Sequence, residues 1–260
     1  MSENRKYVSF MDDEKLLAAI ERLYNKYQKA FSEANLKKLN KNILDPFKFQ
    51  FDTEFIHGGN AENTIDSEAF RQSDKSISNA IGEFQQELLG AIDGFEETPD
   101  LPSDVRKKDN MIFAEVKNKY NTMNVRSAAG VYEELTGLAK SNPKAMCYLV
   151  EIIAKHSMDK EWEITINEMK QHHPRIHVIS ADKFYALATG KENALLELTK
   201  ALPLAISDFM KSKGKTPIGQ MKAPASAYQE ICELAQEDDN DVVSQIYRIS
   251  LPEYMGFNKE

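Results

Sequence analysis

Hydrophobic positions change their period several times along this chain, and each change predicts an element. Between residues 12 and 40, Leu16, Leu17, Ile20, Leu23, Tyr24, Tyr27 and Phe31 recur at steps of three and four, which predicts a helix with one buried face. Asp45-Pro46 closes that segment in this reading, because proline disfavours helical geometry in the residue before it. Phe47, Phe49 and Phe51 then alternate with Lys48, Gln50 and Asp52, the pattern of a half-buried strand. A polar loop with Gly58-Gly59 follows. From residue 76 to about 92, Ile77, Ile81, Phe84 and Leu88 again share one helical face.

Residues 94–103 contain Pro99 and Pro102 and read as irregular. Residues 104–119 read as two short strands joined by a polar turn at Asp109-Asn110, the second strand ending at 121–124. A helix is expected over 126–140, with Ala129, Tyr132, Leu135 and Leu138 on one face, broken by Asn142-Pro143. The run AMCYLVEIIA at 145–154 is almost continuously apolar, as a central strand covered on both faces would be. Short strands are expected at 162–166 and 175–180, and helices at 181–189 and 193–210. Residues 211–225 have linker composition, and a last helix is expected at 228–236. This order predicts an α/β fold: a mixed central sheet flanked by helices, with helical additions at both termini. It divides into a mainly helical region at 1–75 packed on a core at 76–210, then a linker and helical region at 211–260.

Composition narrows this picture. The chain has 260 residues, of which 42% are hydrophobic and 28% charged, enough for a large core beneath a soluble surface. No apolar run reaches the length of a membrane span. The opening MSENRKYVSFMDDEK lacks the apolar stretch of an export signal. Cys147 and Cys232 sit far apart in apolar patterns and read as core thiols in a reducing, cytoplasmic compartment. The net charge of −8 argues against an indiscriminate nucleic-acid coat protein. It leaves DNA binding open, because affinity follows local charge at the phosphates. Residues 105–126 carry six basic side chains against two acids, whereas 230–241 carry six acids and no base.

The chemistry concentrates at 104–119. Glu115 and Lys117 follow the apolar residues 111–114 and, two apart on a strand, share a face. The pair alone also suits an ordinary exposed strand end. An acid on the neighbouring strand would complete a set able to hold Mg²⁺, which prefers a few carboxylate oxygens plus water, with a lysine beside it for phosphodiester hydrolysis. A two-residue loop at Asp109-Asn110 places Asp104 opposite Glu115; a four-residue loop brings Asp100 opposite Lys117. Strand chemistry favours Asp104, since Asp100 stands between Pro99 and Pro102; Asp93 is more distant. Glu83 and Glu87 read as a solvent face or as auxiliary acids, and His172, His173 and His177 as loop and strand-edge residues. Trp162 reads as packing. Lys213-Gly-Lys-Thr216 lacks the first glycine of a phosphate-binding loop and is set aside. Asn118, Lys119, Asn121, Asn124 and Arg126 leave the second strand with the side-chain chemistry that grips phosphates or reads base edges.

Several stretches resemble type II restriction endonucleases of the PD-(D/E)XK class, and more narrowly the group that cuts GGNCC- or GGWCC-type sites. They are Asn79-Ala-Ile-Gly82, Leu89-Gly-Ala-Ile-Asp-Gly94, Ala114-Glu-Val-Lys-Asn-Lys-Tyr-Asn-Thr-Met-Asn124, Cys147 to Lys155, and the stretches starting at His173 and Asp182. The likeness covers roughly 75–210, and AEVKNKYNTMN is its most specific part. It implies a bacterial, Mg²⁺-dependent homodimer that cuts both strands of double-stranded DNA at a short palindrome, leaving 5′-phosphates. A partner cytosine methyltransferase of the same system would protect host sites without being a subunit. By this likeness Asp104 and Glu115 would hold the metal together with the Val116 carbonyl, and Lys117 would serve the attacking water or the phosphorane charge. The literal Pro99-Asp100 fits the class name at a longer spacing, so the first acid stays open between Asp100 and Asp104.

Overall fold

Eight apolar-rich residues, Met146–Ile153, form the strand around which the sheet is built. A computed structural model describes residues 5–32, 45–218, 232–238, 244, 245, 248, 251 and 253–257. Its strands are β1 (Phe95–Glu97), β2 (Val105–Lys107), β3 (Ile112–Lys119), β4 (Met146–Ile153), β5 (Asp159–Glu161), β6 (Ile164–Ile166), β7 (Met169–Gln171) and β8 (Ile176–Ser180). Six of them make one open sheet in the order β1-β2-β3-β4-β8-β5, while β6 and β7 pair separately. The β3–β4 and β4–β8 pairs are parallel and the outer pairs antiparallel, so the sheet is mixed as expected.

Helices cover both faces: α1 (Asp13–Ser32), α2 (Pro46–Phe55), α3 (Ala61–Ala91), α4 (Val125–Ser141), α5 (Ala181–Thr189) and α6 (Ala194–Ser212). On one face Leu16 of α1, Leu88 of α3, Phe184 of α5 and Leu198 of α6 pack with Val105, Ala114, Val116 and Val150. On the other, Val131, Tyr132, Leu135 and Leu138 of α4 pack with Phe113, Cys147, Leu149, Ile176 and Val178. Trp162 joins this second core, edge-on to Tyr132 at 5.4 Å between centroids. Both cysteines are free thiols. Among the described residues, no helix is long and apolar enough to cross a membrane.

The phenylalanine stretch at 47–51 is not a strand. It lies in α2, which Asp45-Pro46 opens; whatever precedes that cap, from 33 to 44, lies outside the described residues. The Asp45 carboxylate accepts hydrogen bonds from the backbone N–H of Phe47 (2.9 Å) and Lys48 (3.2 Å), with proline next to the cap where its missing N–H costs nothing. Capping outweighed alternation, and Phe47, Phe51 and Phe55 stay exposed. Of the helix expected at 12–40, residues 13–32 are helical, and 33–40 lie outside the described residues.

The helix expected from 76 begins fifteen residues earlier, at Ala61, capped by the Asn60 side chain. Its first half is held by polar contacts that leave no apolar stripe. Thr64 and Thr53 share a hydrogen bond (2.9 Å), and buried Ser73 donates to the Ala30 carbonyl (2.9 Å). The region expected to be irregular at 94–103 contains β1, whose pairing with β2 is fastened by Arg106 on Glu96. Gly90 makes this docking possible, since a Cβ there would lie 2.9 Å from the backbone nitrogen of Glu97. The strand expected at 162–166 is really the junction of two elements: β5 joins the large sheet, β6 turns away, and Trp162 lies between them.

The other expected elements match to within a few residues. Residues 232–237 are helical, ending one residue past the last expected helix, while 219–225 of the linker and 228–231 lie outside the described residues. The C-terminal segment is locked to β4. Buried Tyr254 accepts from the Ala154 N–H (2.7 Å) and donates to the Ile152 carbonyl (3.1 Å), and the buried Asp182 carboxylate accepts from the Met255 N–H (3.0 Å).

Candidate active site

The hairpin takes the register of a two-residue loop. Val105 pairs with Ala114 and Arg106 with Phe113, which leaves Asp104 opposite Glu115. Asn110 turns the chain at φ 59, and the Asp109 carboxylate accepts from the Met111 N–H (2.9 Å). β2 ends one residue short of this position, so the Val116 N–H has no backbone acceptor across the ladder. The Asp104 carboxylate takes its place at 2.7 Å, while the Asp104 N–H donates to the Ala114 carbonyl (3.0 Å). In an antiparallel pair a residue's N–H and C=O face the same neighbour, so the Val116 carbonyl opens to the edge where Asp104 lies.

Glu115 and Lys117 stand on the same face of β3, their side chains 14% and 27% exposed, with Lys117 Nζ 2.5 Å from Glu115 Oε1. Burial, and then the negative charge of Glu115, push the Asp104 carboxyl up to about 6; the Val116 N–H and Lys117 oppose the rise. Two carboxylates thus converge at a cost that a proton or a cation relieves. Hard oxygen donors, a carbonyl edge and one adjacent ammonium fit a divalent metal ion of the Mg²⁺ type. Asp104, Glu115 and the Val116 carbonyl are the groups that could hold one.

Other candidates are placed elsewhere. Asp100 is exposed in the turn between β1 and β2, away from any ladder position. Asp93 is bound by Arg5 at 2.5 and 3.0 Å. Glu83 and Glu87 are spent on ion pairs with Lys26 and Arg22 of α1. His173 Nδ1 accepts from the Arg175 N–H (3.1 Å), and His177 Nδ1 meets Asp159 at 2.7 Å. No cluster of three or more His, Cys, Asp or Glu with metal-holding geometry occurs among the described residues. Lys213-Gly-Lys-Thr216 follows the end of α6, with Lys213 paired to Glu21.

Of the residues expected to face DNA, Lys119, Asn121, Asn124 and Arg126 are exposed and Asn118 is half-buried. Asn124 has a second task. Its side chain caps α4 by accepting from the Ser127 N–H (2.9 Å).

One acid escaped the sequence reading. Glu151 on β4 is the register partner of Lys117 and therefore shares the face of Glu115 and Lys117. It lines a cleft of about 840 Å³ with Tyr120, Met123, Lys160 and Trp162. Its signal was a lone carboxylate inside the apolar run 145–154.

Comparison with known proteins gives this geometry a family. The chain is 33% identical to the type II restriction enzyme Sau96I of Staphylococcus aureus, over 97% of this chain and 99% of that one. It is 31% identical to the type II restriction enzyme Eco47II of Escherichia coli, over 79% of this chain and 89% of that one. The profile of the Eco47II restriction endonucleases matches residues 8–211, a span that holds the whole sheet and the converging acids Asp104 and Glu115. By that match and those identities, the chain belongs to the Eco47II restriction endonuclease family.

Proposed function

We propose that this protein is a Mg²⁺-dependent type II endonuclease that hydrolyses both strands of double-stranded DNA at a short GGNCC-like palindrome, leaving 5′-phosphates. The observation that carries this reading is the convergence of Asp104 and Glu115 with Lys117 in a chain of this family. When bound, a divalent cation would lower the pKa of a water and offset charge on the phosphate. The chain's own groups do the rest. Asp104 and Glu115 supply hard anionic oxygens, and the Val116 N–H fixes the Asp104 carboxylate so that it need not reorganise. Lys117 places a positive charge where the phosphorane becomes more negative. Asn118, Lys119, Asn121, Asn124 and Arg126 carry the chain from β3 into α4 with donors suited to the DNA backbone and base edges.

A palindromic site cut on both strands calls for two active sites related by a two-fold axis, so the working form is a homodimer. A cytosine methyltransferase of the same system would mark host sites. Incubating the purified protein with plasmid DNA and Mg²⁺ tests the reading. Discrete fragments that map to one palindrome, lost in EDTA, are expected. Intact plasmid, or a smear without preferred sites, would overturn it.

A further inference from the structure

Within the nuclease reading, Lys117 faces a conflict. Its ammonium rests 2.5 Å from Glu115 Oε1, yet a carboxylate that takes a divalent cation loses most of its hold on a neighbouring ammonium, because the two cations repel. A half-buried ammonium without a partner is costly, so Lys117 needs a second anion. Glu151 occupies the paired position on β4, on the same face. Adjacent strands lie about 4.8 Å apart, within the sweep of a lysine side chain.

Glu151 is 7% exposed, and its carboxylate makes no hydrogen bond or ion pair among the described residues. Lys160, two strands away on β5, is the cation that acts on it through space, while burial raises its carboxyl above the ordinary range. Packing alone gives no reason for such a group. Its carboxylate opens on the cleft it lines with Lys160 and Trp162, yet an apolar side chain in a central strand would be more stable than an unpaired, mostly buried carboxylate.

We propose that Glu151 is a positioning residue for Lys117: when a divalent cation engages Asp104 and Glu115, the ammonium swings from Glu115 to Glu151, which holds it beside the scissile phosphate. The proposal rests on the nuclease reading. It assigns β4 a part in a site otherwise built from β2 and β3.

The test compares the full-length protein with Glu151→Gln, Glu151→Asp, Lys117→Ala, Lys160→Ala and the Lys117→Ala/Glu151→Gln double variant. Mg²⁺ affinity is read from the metal's effect on the melt without DNA, and cleavage from single-turnover rates. Glu151→Gln should weaken Mg²⁺ binding and slow cleavage on the order of tenfold, the scale of one charge-assisted hydrogen bond. The metal-free melt should not fall, and Glu151→Asp should recover part of the loss. In the Lys117→Ala background, Glu151→Gln should change Mg²⁺ affinity no further. Wild-type behaviour of Glu151→Gln, an undiminished effect in that background, or the same loss in Lys160→Ala would each overturn the proposal. A wild-type protein that neither binds Mg²⁺ nor cuts DNA would instead overturn the nuclease reading itself.

Discussion

Asp104→Asn should abolish Mg²⁺-dependent cleavage and, without metal, make the protein more stable near neutral pH. Burial and Glu115 raise the Asp104 carboxyl from 3.8 to about 6. A carboxyl raised in the folded state holds its proton more tightly there. Its favourable contribution is therefore fully present below about pH 3.8 and is lost as pH rises through about 6. At about 1.36 kcal/mol per pH unit, the interval is worth about 3 kcal/mol near neutral pH. Solvent reaches part of this site and screens the conflict, so a gain of about 1–3 kcal/mol is expected. Asparagine keeps an oxygen for the Val116 N–H, so the bond at 2.7 Å survives while the charge conflict goes. Urea denaturation of both proteins in EDTA, across this pH range, reads the difference, which should grow as pH rises. Mg²⁺ should then reverse the order: the wild type gains about 4.1 kcal/mol at a thousandfold excess over Kd, and the variant gains little. A variant less stable than the wild type near neutral pH, or a difference indifferent to pH, would refute the reasoning.

Lys117→Ala should slow cleavage by about 10²–10³-fold, the usual loss of one transition-state charge donor, with DNA affinity in a gel-shift assay nearly unchanged; equal cleavage rates would remove Lys117 from the site. Tyr254→Phe leaves the Ala154 N–H without its acceptor and should cost about 1–3 kcal/mol in urea denaturation; an unchanged midpoint would show that the C-terminal lock is not needed. Gly90→Ala drives a methyl group against the Glu97 backbone and should lower the melting temperature through an overpacking cost of about 1–3 kcal/mol. Asn124→Ala should cost about 1 kcal/mol through loss of the α4 cap; cleavage at saturating DNA that falls far more than this would show that Asn124 also acts at the site.

Elements whose burial pattern is local were legible. The 145–154 run announced a strand covered on both faces, and the stripe at Leu135 and Leu138 announced α4, because one neighbour type along the whole element writes a regular period. The hairpin was legible for a different reason: loop length fixes register, and of the two lengths the turn allowed the observed one sets Asp104 against Glu115. What failed was decided by partners far along the chain. The first half of α3 buries Thr64, Gln72 and Ser73 against polar neighbours, which leaves no apolar signature. β1 exists because β2 pairs with it across the proline-bearing turn.

The sequence by itself determined an α/β chain with a mixed sheet and the adjacency of Glu115 and Lys117 on one face, since side-chain alternation acts over a few residues. It left the first acid open between Asp100 and Asp104, because two loop lengths suited the turn. Only the tertiary structure decided that register, and with it the half-buried space in which Glu115 raises the cost of charge on Asp104. It alone brought Glu151, thirty-four residues beyond Lys117, to that lysine's side. Parallel strands are joined through a crossing helix, here α4, so nothing local in the chain records which residues of β3 and β4 will meet.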